Sequence, residues 1–492
     1  MKWELTRVGI ITAAVTVMAS NVFGVEEQPK RTLKTNYQEV YNERPGAVDN
    51  FADMFTEGMF YGRLRSNTFY ANYKTDDAAH SDHVTSGLGG SLIYKSATLA
   101  DFDVTGGLYY SRGFWWDRND NIADLKKGKD VLSRFDYANT GNQSMGVLGQ
   151  AYLRYSGIPG TEILLGRQIV ETFYTKSNDT KMIPNTFDGL VIATKSIPDT
   201  AIKLAYLHKQ KLRDHSQAHS VLMYGDSNST SAVRPAWSEN DDSAMHRGLT
   251  YTALKAAGKP TDAPLIVGDV HNISVDNLKL DASFYVVPEL LAQAMGELNY
   301  TFKLGKKFSI APGVRYIKQF DNGAGDVGGA SYLGPTYTAG YKDPNSLDSQ
   351  MIAARIVTKI DNYKINLGYT NILDEADLVT PWRGFPTAGY TRSMARYNWK
   401  ANTQSYRIEM IRNGNSKGIY KDIYTQASIL YTDADEKKGG KDEMYYYVGF
   451  VQNVPSLVAL QWRLRVGYAQ YLDSDDSKYN DLDARFELNY LF

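Results

Sequence analysis

The sequence predicts an all-β fold: a transmembrane antiparallel up-and-down β-barrel of about 18 strands, with short turns at one end and long loops at the other. Three observations predict this class. Segments of roughly ten residues alternate in hydrophobicity along most of the chain. The connections between them alternate between short and long, and the first residues have the pattern of an export signal.

The first 24 residues are predicted to be a signal peptide. Lys2 and Arg7 give a basic start, Val8–Ala19 is an apolar stretch too short to span a bilayer as a helix, and cleavage is expected after Gly24. The alternative is a short N-terminal membrane anchor. We therefore divide the chain into a signal peptide (1–24), a periplasmic N-terminal segment (25–55) and a single barrel (56–492) in the bacterial outer membrane of a Gram-negative cell.

The composition excludes several classes of protein. The 492 residues include 54 Lys and Arg against 55 Asp and Glu, so no charge bias points to a nucleic-acid partner. Cysteine is absent, which excludes disulfide scaffolds, thiolate metal sites and cysteine nucleophiles. Tyrosine (36 residues) and glycine (41 residues) are abundant, which favours β structure. We predict no cofactor and no metal ion.

The alternating segments are predicted strands. In "NYKINLGYTNI" (362–372), Tyr363, Ile365 and Leu367 fall on one face, while Lys364 and Asn366 fall on the other. One face is apolar and aromatic, and the other is polar or charged. Eighteen such segments occur, at about 57–71, 87–96, 101–112, 146–156, 161–170, 186–196, 199–210, 264–273, 277–287, 296–304, 308–318, 350–360, 362–372, 403–412, 421–432, 442–452, 457–471 and 481–492.

The connections are ordered by length. Even-numbered ones are tight, as in "SATLAD", "SGIPGT", "SIPDT" and "SVDN", whereas odd-numbered ones are long or variable. This order predicts short periplasmic turns and long extracellular loops, with both ends of the barrel on the periplasmic side. A soluble β-sandwich, the alternative, would mix the two lengths without order. The long loops are predicted at about 113–145, 171–185, 211–263, 319–349 and 373–402.

The last ten residues, "DARFELNYLF", form the eighteenth predicted strand. An unpaired strand with an apolar face would be an aggregation hazard, so we expect it to pair with the first strand, around Phe60–Tyr70, and to close the barrel. Phe486, Tyr490 and Phe492 then face lipid. We also predict that the strand ending at Phe492 is the signal for the barrel-insertion machinery, and that membrane lipid and lipopolysaccharide surround the apolar face.

The polar faces carry charged side chains into the predicted lumen. An eighteen-stranded barrel is too wide for its side chains to fill, so an aqueous channel is expected. Arginine is charged at any working pH and offers a fork of donors that matches a carboxylate. Alternation places the following basic residues on polar faces: Arg63, Arg65, Arg154, Lys203, Arg315, Arg407, Arg463, Arg465 and Arg485. Glu409, Glu487 and Asp281 are the acids predicted to face them.

Several short motifs resemble those of the OprD-like outer-membrane porins. They are "GRQ" (Gly166, Arg167 and Gln168), "MIPNTFDG" (Met182–Gly189), "VLGQAYLRY" (147–155) and the Thr380–Trp382 loop. Within the second motif the matching residues are Met182, Ile183, Pro184, Asn185, Phe187 and Gly189.

The resemblance implies an eighteen-stranded, substrate-selective channel for small hydrophilic solutes, and not an enzyme. It implies a pore narrowed by the third and seventh loops, here about 171–185 and 373–402, and a row of Arg and Lys that guides carboxylate-bearing or zwitterionic solutes. Arg167 joins the candidate lumen residues through its motif. The resemblance allows monomers or loose homotrimers, and it does not identify the solute. The insert at 211–263 is longer than the family leads us to expect.

Two other functions are left open. The first is a structural or adhesive surface barrel whose 211–263 loop binds a partner and whose lumen is plugged. The second is an outer-membrane hydrolase, although no nucleophile motif of the G-x-S-x-G type is present. "GAGDVG" (323–328) lacks the following helix that a dinucleotide site needs. We expect His208, His215 and His219, and the acidic stretch 473–483, to be solvated loops rather than metal or calcium sites.

Overall fold

A computed structural model describes most of the chain downstream of residue 30. The described residues are 31–33, 38–41, 43–75, 82–115, 131–133, 136–137, 140–222, 246–379, 389–415, 417–418, 420–457, 459–473 and 475–492. The predicted signal peptide with its cleavage point after Gly24, and the Thr380–Trp382 motif, lie outside these residues.

Eighteen strands form one closed antiparallel barrel, which confirms the predicted fold. Each strand pairs with the next along the chain, so the topology is up-and-down throughout. The strands are β1 (Met59–Tyr73), β2 (His83–Lys95), β3 (Phe102–Trp115), β4 (Ser144–Tyr155), β5 (Thr161–Gln168), β6 (Thr186–Thr194), β7 (Thr200–Lys211), β8 (Leu265–Asn272), β9 (Leu278–Val287), β10 (Leu291–Tyr300), β11 (Phe308–Asp321), β12 (Ser349–Ile360), β13 (Tyr363–Ile372), β14 (Thr403–Arg412), β15 (Ile423–Asp433), β16 (Glu443–Asn453), β17 (Leu460–Tyr471) and β18 (Asp481–Leu491).

The barrel closes where β18 pairs antiparallel with β1, as the C-terminal sequence predicted. The register runs from Asp481 opposite Tyr73 to Leu491 opposite Arg63. We call this β1–β18 pairing the seam, and it ends in two backbone hydrogen bonds. The Phe492 N–H donates to the Gly62 carbonyl at 2.9 Å, and the Gly62 N–H donates to the Phe492 carbonyl at 3.0 Å. Closure satisfies the backbone groups of both strands, so no open sheet edge meets lipid.

Strand β10 begins earlier than predicted. It starts at Leu291 instead of residue 296, because β9 and β10 are joined by a tight turn in which Glu289 has a φ of 63°. Ala292, Ala294 and Gly296 fill one face of its first half, and these small residues give a weak alternation signal. The other strands begin and end within about four residues of their predicted bounds.

The two faces of the wall differ as the sequence predicts. On β18, Phe486 and Tyr490 are 42% and 40% exposed and point outward, whereas Glu487 and Asn489 are buried and point inward. Aromatic side chains form a girdle near each end of the outer surface. The girdle near the short turns includes Phe60, Phe102, Tyr300, Phe302, Phe308 and Tyr363, and the girdle near the long loops includes Tyr206, Phe284, Tyr316, Tyr406, Tyr446 and Tyr468.

Short strands, helices and 3-10 turns lie at both ends of the barrel. A small hairpin pairs Arg31–Leu33 with Glu39–Tyr41, and Ala47–Val48 pairs in parallel with Thr98–Leu99. Asn50 caps the first helix by accepting the Asp53 N–H at 2.9 Å. The helices are α1 (Phe51–Thr56), α2 (Tyr251–Ala256) and α3 (Gly325–Gly328), and the remaining elements are the strand Phe302–Lys303 and the 3-10 turns Pro335–Tyr337, Glu436–Lys438 and Ser477–Tyr479. No helix among the described residues is long and apolar enough to cross a membrane.

The buried apolar residues lie inside the barrel, where long loops fold inward. We call these loops L2 (116–143), L3 (169–185), L4 (212–264), L6 (322–348) and L7 (373–402). One cluster joins L3, L4, L6 and L7 to the inner faces of β6–β12, and includes Tyr174, Leu254, Tyr285, Leu347 and Leu378. A second cluster joins L2 and L3 to β1–β4, and includes Tyr61, Phe69, Leu132, Met145 and Met182. The loops therefore cover much of the inner wall.

Candidate functional site

Loop L3 crosses the lumen and is fastened at both ends. At one end, the Phe173 N–H donates to Asp269 of β8 at 2.8 Å. At the other, the Asp179 carboxylate forms ion pairs with Arg63 and Arg65 of β1. Because β1 and β8 lie on different sides of an eighteen-stranded barrel, this loop spans the interior.

Arg63 and Arg65 lie inside the barrel but behind L3. Their exposed fractions are only 1% and 3%. Besides Asp179, Arg65 contacts Glu487 of β18 at 2.8 Å. A buried arginine requires compensating charge, and this network supplies it. The two residues that the sequence placed on the channel wall are thus positioned to hold a loop.

Loops L3 and L7 meet at Arg315 of β11. Its guanidinium lies 4.9 Å from the ring centre of Phe173 (L3) and 4.5 Å from that of Tyr390 (L7), and it forms an ion pair with Glu297 at 2.5 Å. Arg355 of β12 also packs on the Tyr390 ring, 4.4 Å from its centre. The described part of L7 therefore folds inward with L3, as the resemblance implied.

Loop L4 is held against L6 by a buried histidine. His246 Nε2 donates to the Gly329 carbonyl at 3.0 Å, and its Nδ1 accepts the Gly248 N–H at 3.2 Å. Burial lowers the pKa of His246 to about 4, so the imidazole is neutral at neutral pH. Both ring nitrogens are satisfied only in this neutral form.

His215 and His219 of L4 are packed rather than solvated, contrary to the sequence-based expectation, whereas His208 lies in β7 with its side chain exposed. His215 Nδ1 and His219 Nε2 are 2.7 Å apart, and His215 is 4% exposed. Arg213 in the same stretch donates its backbone N–H to Asn185 of L3 at 2.7 Å. Among the described residues no group of three or more potential ligands is arranged to hold a metal ion. This part of L4 supports L3.

The inner wall remains partly exposed along β12–β17. On β1–β4 almost every inward side chain is buried, many of them under L2 and L3. The inward side chains of β12–β17 are mixed within the described structure: many are buried, but one group of them is half-buried or exposed. This group, which we call the open wall, contains the exposed Lys359 and the half-buried Arg355, Lys364, Asn366, Arg407, Tyr424, Gln426, Tyr447 and Arg465. Basic residues predominate on it, and tyrosines lie between them.

Carboxylates accompany the cations at the open wall. Glu409 forms an ion pair with Arg407, and Asn366 and Gln426 also donate to it. Arg465 lies 4.0 Å from Glu487. The open wall carries more cations than acids. This charge distribution creates an electric field across the lumen, and the low dielectric constant of the surrounding protein and lipid concentrates that field.

The other predicted lumen residues occupy separate positions on the inner wall. Arg154 forms ion pairs with Asp103 and with Glu162, the latter at 3.1 Å, near the short-turn end. Lys203 donates to the Glu171 carbonyl at 2.7 Å and so supports L3. Three more contacts complete the set: Arg463 donates to Gln461 at 2.7 Å, Arg485 contacts Asp483 at 2.6 Å, and Asp281 pairs with His271.

Arg167 lies on the outer face instead of in the lumen. It lies two residues after Leu165, which points outward and is 57% exposed, so the two side chains share the outer face. Its guanidinium pairs with Asp188 of β6 at 2.6 and 2.7 Å. The motif match suggested a lumen position, but strand alternation decides the face. We therefore do not extend the proposed solute-guiding role to Arg167.

The remaining motif residues build the base of L3. Met182 and Ile183 are buried in the second apolar cluster, Phe187 is buried in the first, and Asn185 donates to the Lys176 carbonyl at 3.2 Å. Gln168 donates to the carbonyls of Leu164, Gly166 and Gly189 at 3.3–3.4 Å. Gly166 has a φ of 125°, which favours glycine. Pro184 lies among these buried residues.

The site-residue prediction missed three cations of the open wall. Arg355 and Lys359 fall on the inner face of β12 by simple alternation with Ile352 and Ile356, so the same period-two signal could have found them. Lys364 was assigned to a polar face but was not counted as a site residue. Arg396 of L7, which pairs with Glu443 at 2.8 Å and with Asp481 at 2.7 Å, carried no such signal because it lies in a loop.

A closed barrel with an apolar outer face, inward-folded loops and a charged inner wall defines the class of membrane channels that cross with β-strands. A model of the family described as "outer membrane porin, OprD family" matches residues 127–402, which is more than half of the chain. The chain belongs to the OprD family of outer membrane porins. Members of this class are embedded in the bacterial outer membrane and let small solutes pass.

Solved structures share the fold at low sequence identity. Acinetobacter baumannii OccAB3 is 13% identical, with a TM-score of 0.65 over 88% of this chain and 99% of that one. Pseudomonas aeruginosa OccK8 (OprE) is 12% identical, with a TM-score of 0.66 over 89% and 99%. Pseudomonas aeruginosa OpdK, solved with vanillate, is 12% identical, with a TM-score of 0.62 over 88% and 98%. No curated protein matched the sequence.

Proposed function

We propose that this porin lets small carboxylate-bearing or zwitterionic solutes diffuse selectively along the open wall of β12–β17. The observation that carries the proposal is the partial exposure of Arg355, Lys364, Arg407 and Arg465 on one side of the lumen, while the inner face of β1–β4 is covered. A solute anion can exchange one basic partner for the next along this side. Entry is then favourable, and no single site becomes a trap.

The residue chemistry supports an anionic group on the solute. Arginine offers two parallel donors to a carboxylate, and lysine adds a mobile point charge. Glu409, buried beside Arg407, adds a negative charge to the field that the cationic end of a zwitterion meets. Tyr424 and Tyr447 on the same wall offer hydroxyl groups and ring faces.

Purified protein in a planar lipid bilayer is expected to give stepwise conductance with a reversal potential that favours anions. Small carboxylates added to one side should reduce the ion current by competing for the open wall. Uncharged analogues of the same size provide the control and should reduce the current less. Bilayers that stay silent through repeated reconstitution would contradict the channel function. A current that carboxylates leave unchanged would contradict the proposed solute class.

A surface barrel with a closed lumen is the second candidate. The apolar cluster of L3, L4, L6 and L7, which fills the space beside β6–β12, supports it. Such a barrel would conduct little, and its conductance would rise when L4 is shortened. The porin proposed above conducts with all loops present. An enzymatic role is not part of our proposal, because the porins of this family are channels.

We further propose that the C-terminal strand acts as the signal for the barrel-insertion machinery. Phe492 is 38% exposed on the outer surface at the end of the seam, next to Gly62. Its aromatic ring is therefore accessible at the end of the strand that closes the barrel. A loose homotrimer stays a prediction from the family resemblance, which allows monomers as well.

A further inference from the structure

Helix α1 lies on the outer side of the barrel wall at the short-turn end. Tyr94 of β2 donates its hydroxyl to the Phe55 carbonyl of α1 at 2.6 Å. The Tyr94 side chain points outward, because it lies two residues after Leu92, which is 44% exposed on the outer face. The Tyr94 ring also packs against that of Phe60 in the girdle near the short turns, with ring centres 4.9 Å apart. The end of α1 is therefore in direct contact with residues that face lipid.

The chain around α1 holds the helix beside the rim of the barrel. Before the helix, Ala47–Val48 pairs with Thr98–Leu99 of the turn between β2 and β3. Within the helix, the Met54 carbonyl accepts the Ala97 N–H at 2.9 Å, and the Met54 side chain is only 5% exposed. After the helix, only two residues separate its end from the start of β1. The position of α1 is therefore fixed by contacts on both sides.

Two phenylalanines give α1 an apolar face that the described residues leave exposed. Phe51 is 70% exposed and Phe55 is 43% exposed, and their rings contact each other edge to face with centres 5.1 Å apart. They are four residues apart, so they lie on the same face of the helix. Asp53 and the C-cap residue Glu57 fall on the opposite side. The helix therefore has one aromatic side and one acidic side.

The apolar face of α1 continues the lipid-facing surface of the barrel. Phe60, which is 66% exposed, marks the level of the membrane interface on the wall, and Tyr94 joins it to α1. A helix with aromatic residues on one face and charged residues on the other lies in the plane of a membrane interface, where it buries the apolar face among the headgroups. The arrangement of α1 beside Phe60 fits this mode of binding.

The exposed area of α1 is too small for a stable contact with another protein. Two phenylalanine rings bury about 400 Å² when they are fully covered. Each partner in a stable protein–protein interface buries about 800 Å². A lipid surface needs no such minimum, because the whole barrel is already embedded in it.

We propose that α1 is an interfacial anchor that inserts Phe51 and Phe55 into the phospholipid headgroup region at the short-turn end of the barrel. Asp53 and Glu57 stay in water on the other side of the helix. The anchor fixes the depth of the seam in the membrane, because β1 follows α1 directly and forms one strand of the seam. The inference concerns membrane binding and goes beyond the proposed channel function, on which it does not depend.

Fluorescence quenching from within the lipid tests the anchor in the intact barrel. The chain has no cysteine, so Phe51→Cys or Glu57→Cys supplies a single thiol for a small fluorophore. The labelled full chain is reconstituted in vesicles of phosphatidylethanolamine and phosphatidylglycerol that contain a lipid with a nitroxide close to its headgroup. The nitroxide lipid is present in both leaflets, so the orientation of the barrel does not affect the result.

We expect the nitroxide lipid to quench the probe at Phe51→Cys about twofold more than the probe at Glu57→Cys. Glu57→Cys is the matched control, since it lies at the end of the same helix on the acidic side. Equal quenching at the two positions would overturn the anchor, and so would stronger quenching of the Phe51→Cys probe by aqueous iodide. Self-quenching that grows with the ratio of protein to lipid would show that a second copy of the chain covers this face instead.

A second variant keeps both phenylalanine rings. Ala52 is exposed next to Phe51, so a probe at Ala52→Cys reports on the unaltered aromatic face. We expect its quenching by the nitroxide lipid to fall when Phe51→Ser and Phe55→Ser are added. Quenching that this double replacement leaves unchanged would show that the two rings do not hold α1 in the membrane, and would overturn the anchor.

Discussion

Replacing Asp179 by Asn is expected to release loop L3 from β1, raise the single-channel conductance and lower the stability of the barrel. Asp179 pairs with both Arg63 and Arg65, which are almost fully buried. Removing one partner of a buried ion pair leaves an uncompensated charge, which lowers the free energy of unfolding by about 3–5 kcal/mol. Asparagine has nearly the same shape, so the change removes charge and little volume.

Release of L3 should widen the passage, because Asp179 fastens the end of L3 that lies against β1. Asn67 also holds this end, by donating to the Lys181 carbonyl at 2.9 Å, but that contact carries no ion pair. Conductance in planar bilayers and the temperature at which the folded barrel unfolds on a gel are the two measurements. Asp326→Asn is the control, since Asp326 is exposed in L6. An Asp179→Asn variant with wild-type conductance and a wild-type unfolding temperature would contradict the role of Asp179 in fastening L3 across the lumen.

Replacing Arg355 and Arg407 together by Gln is expected to reduce the preference for anions. Both side chains belong to the open wall and keep part of their surface in the lumen. The interaction energy between a unit charge and a passing ion about 4 Å away is about 1 kcal/mol even in water. That energy corresponds to about a fivefold change in relative permeability for each charge. The reversal potential in a salt gradient measures the effect.

Arg167→Gln is the matched control for this pair. It removes the same charge from the same barrel, but from the outer face, where Arg167 pairs with Asp188. The reversal potential should therefore stay at the wild-type value. A shift in this variant equal to that of the Arg355/Arg407 pair would show that selectivity follows total charge, and not charge on the open wall.

Most of the barrel could be predicted from the sequence, because strand alternation and turn length are local properties. Each strand has one face in lipid and one in the lumen, so its alternation of apolar and polar residues can be recognised within about ten residues. The closure of β18 on β1 followed from the same physics, since a lipid-exposed sheet edge is too costly. Strand β10 was mispredicted at its start because Ala292 and Ala294 carry little pattern.

The site was predicted less completely, because burial in the lumen depends on loops that come from distant parts of the chain. Alternation put Arg63 and Arg407 on inner faces alike. Only the folded loops distinguish them: L3 covers Arg63, while Arg407 keeps partial exposure. The error for Arg167 has another origin, since a family motif identified the residue without giving the direction of its side chain.

The docking of the N-terminal hairpin, Arg31–Leu33 with Glu39–Tyr41, carried no sequence signal either. Residues 25–55 read as polar and irregular, and they were assigned to the periplasm as one segment. The docking of Glu39 depends on Ser91 and Arg63, which lie on two later strands. Such contacts between distant segments leave no local periodicity in the sequence.

In the proposed channel, solutes pass along the open wall and not along β1–β4. Because the chain lacks cysteine, a negatively charged methanethiosulfonate reagent reports only on an introduced thiol. Asn366→Cys places that thiol on the open wall, and Asn67→Cys places it under L3, where Asn67 is 0% exposed. We predict that the reagent rapidly reduces the current through the Asn366→Cys channel and leaves the Asn67→Cys channel unchanged. Rapid block at Asn67→Cys with none at Asn366→Cys would show that solutes pass along β1–β4 instead.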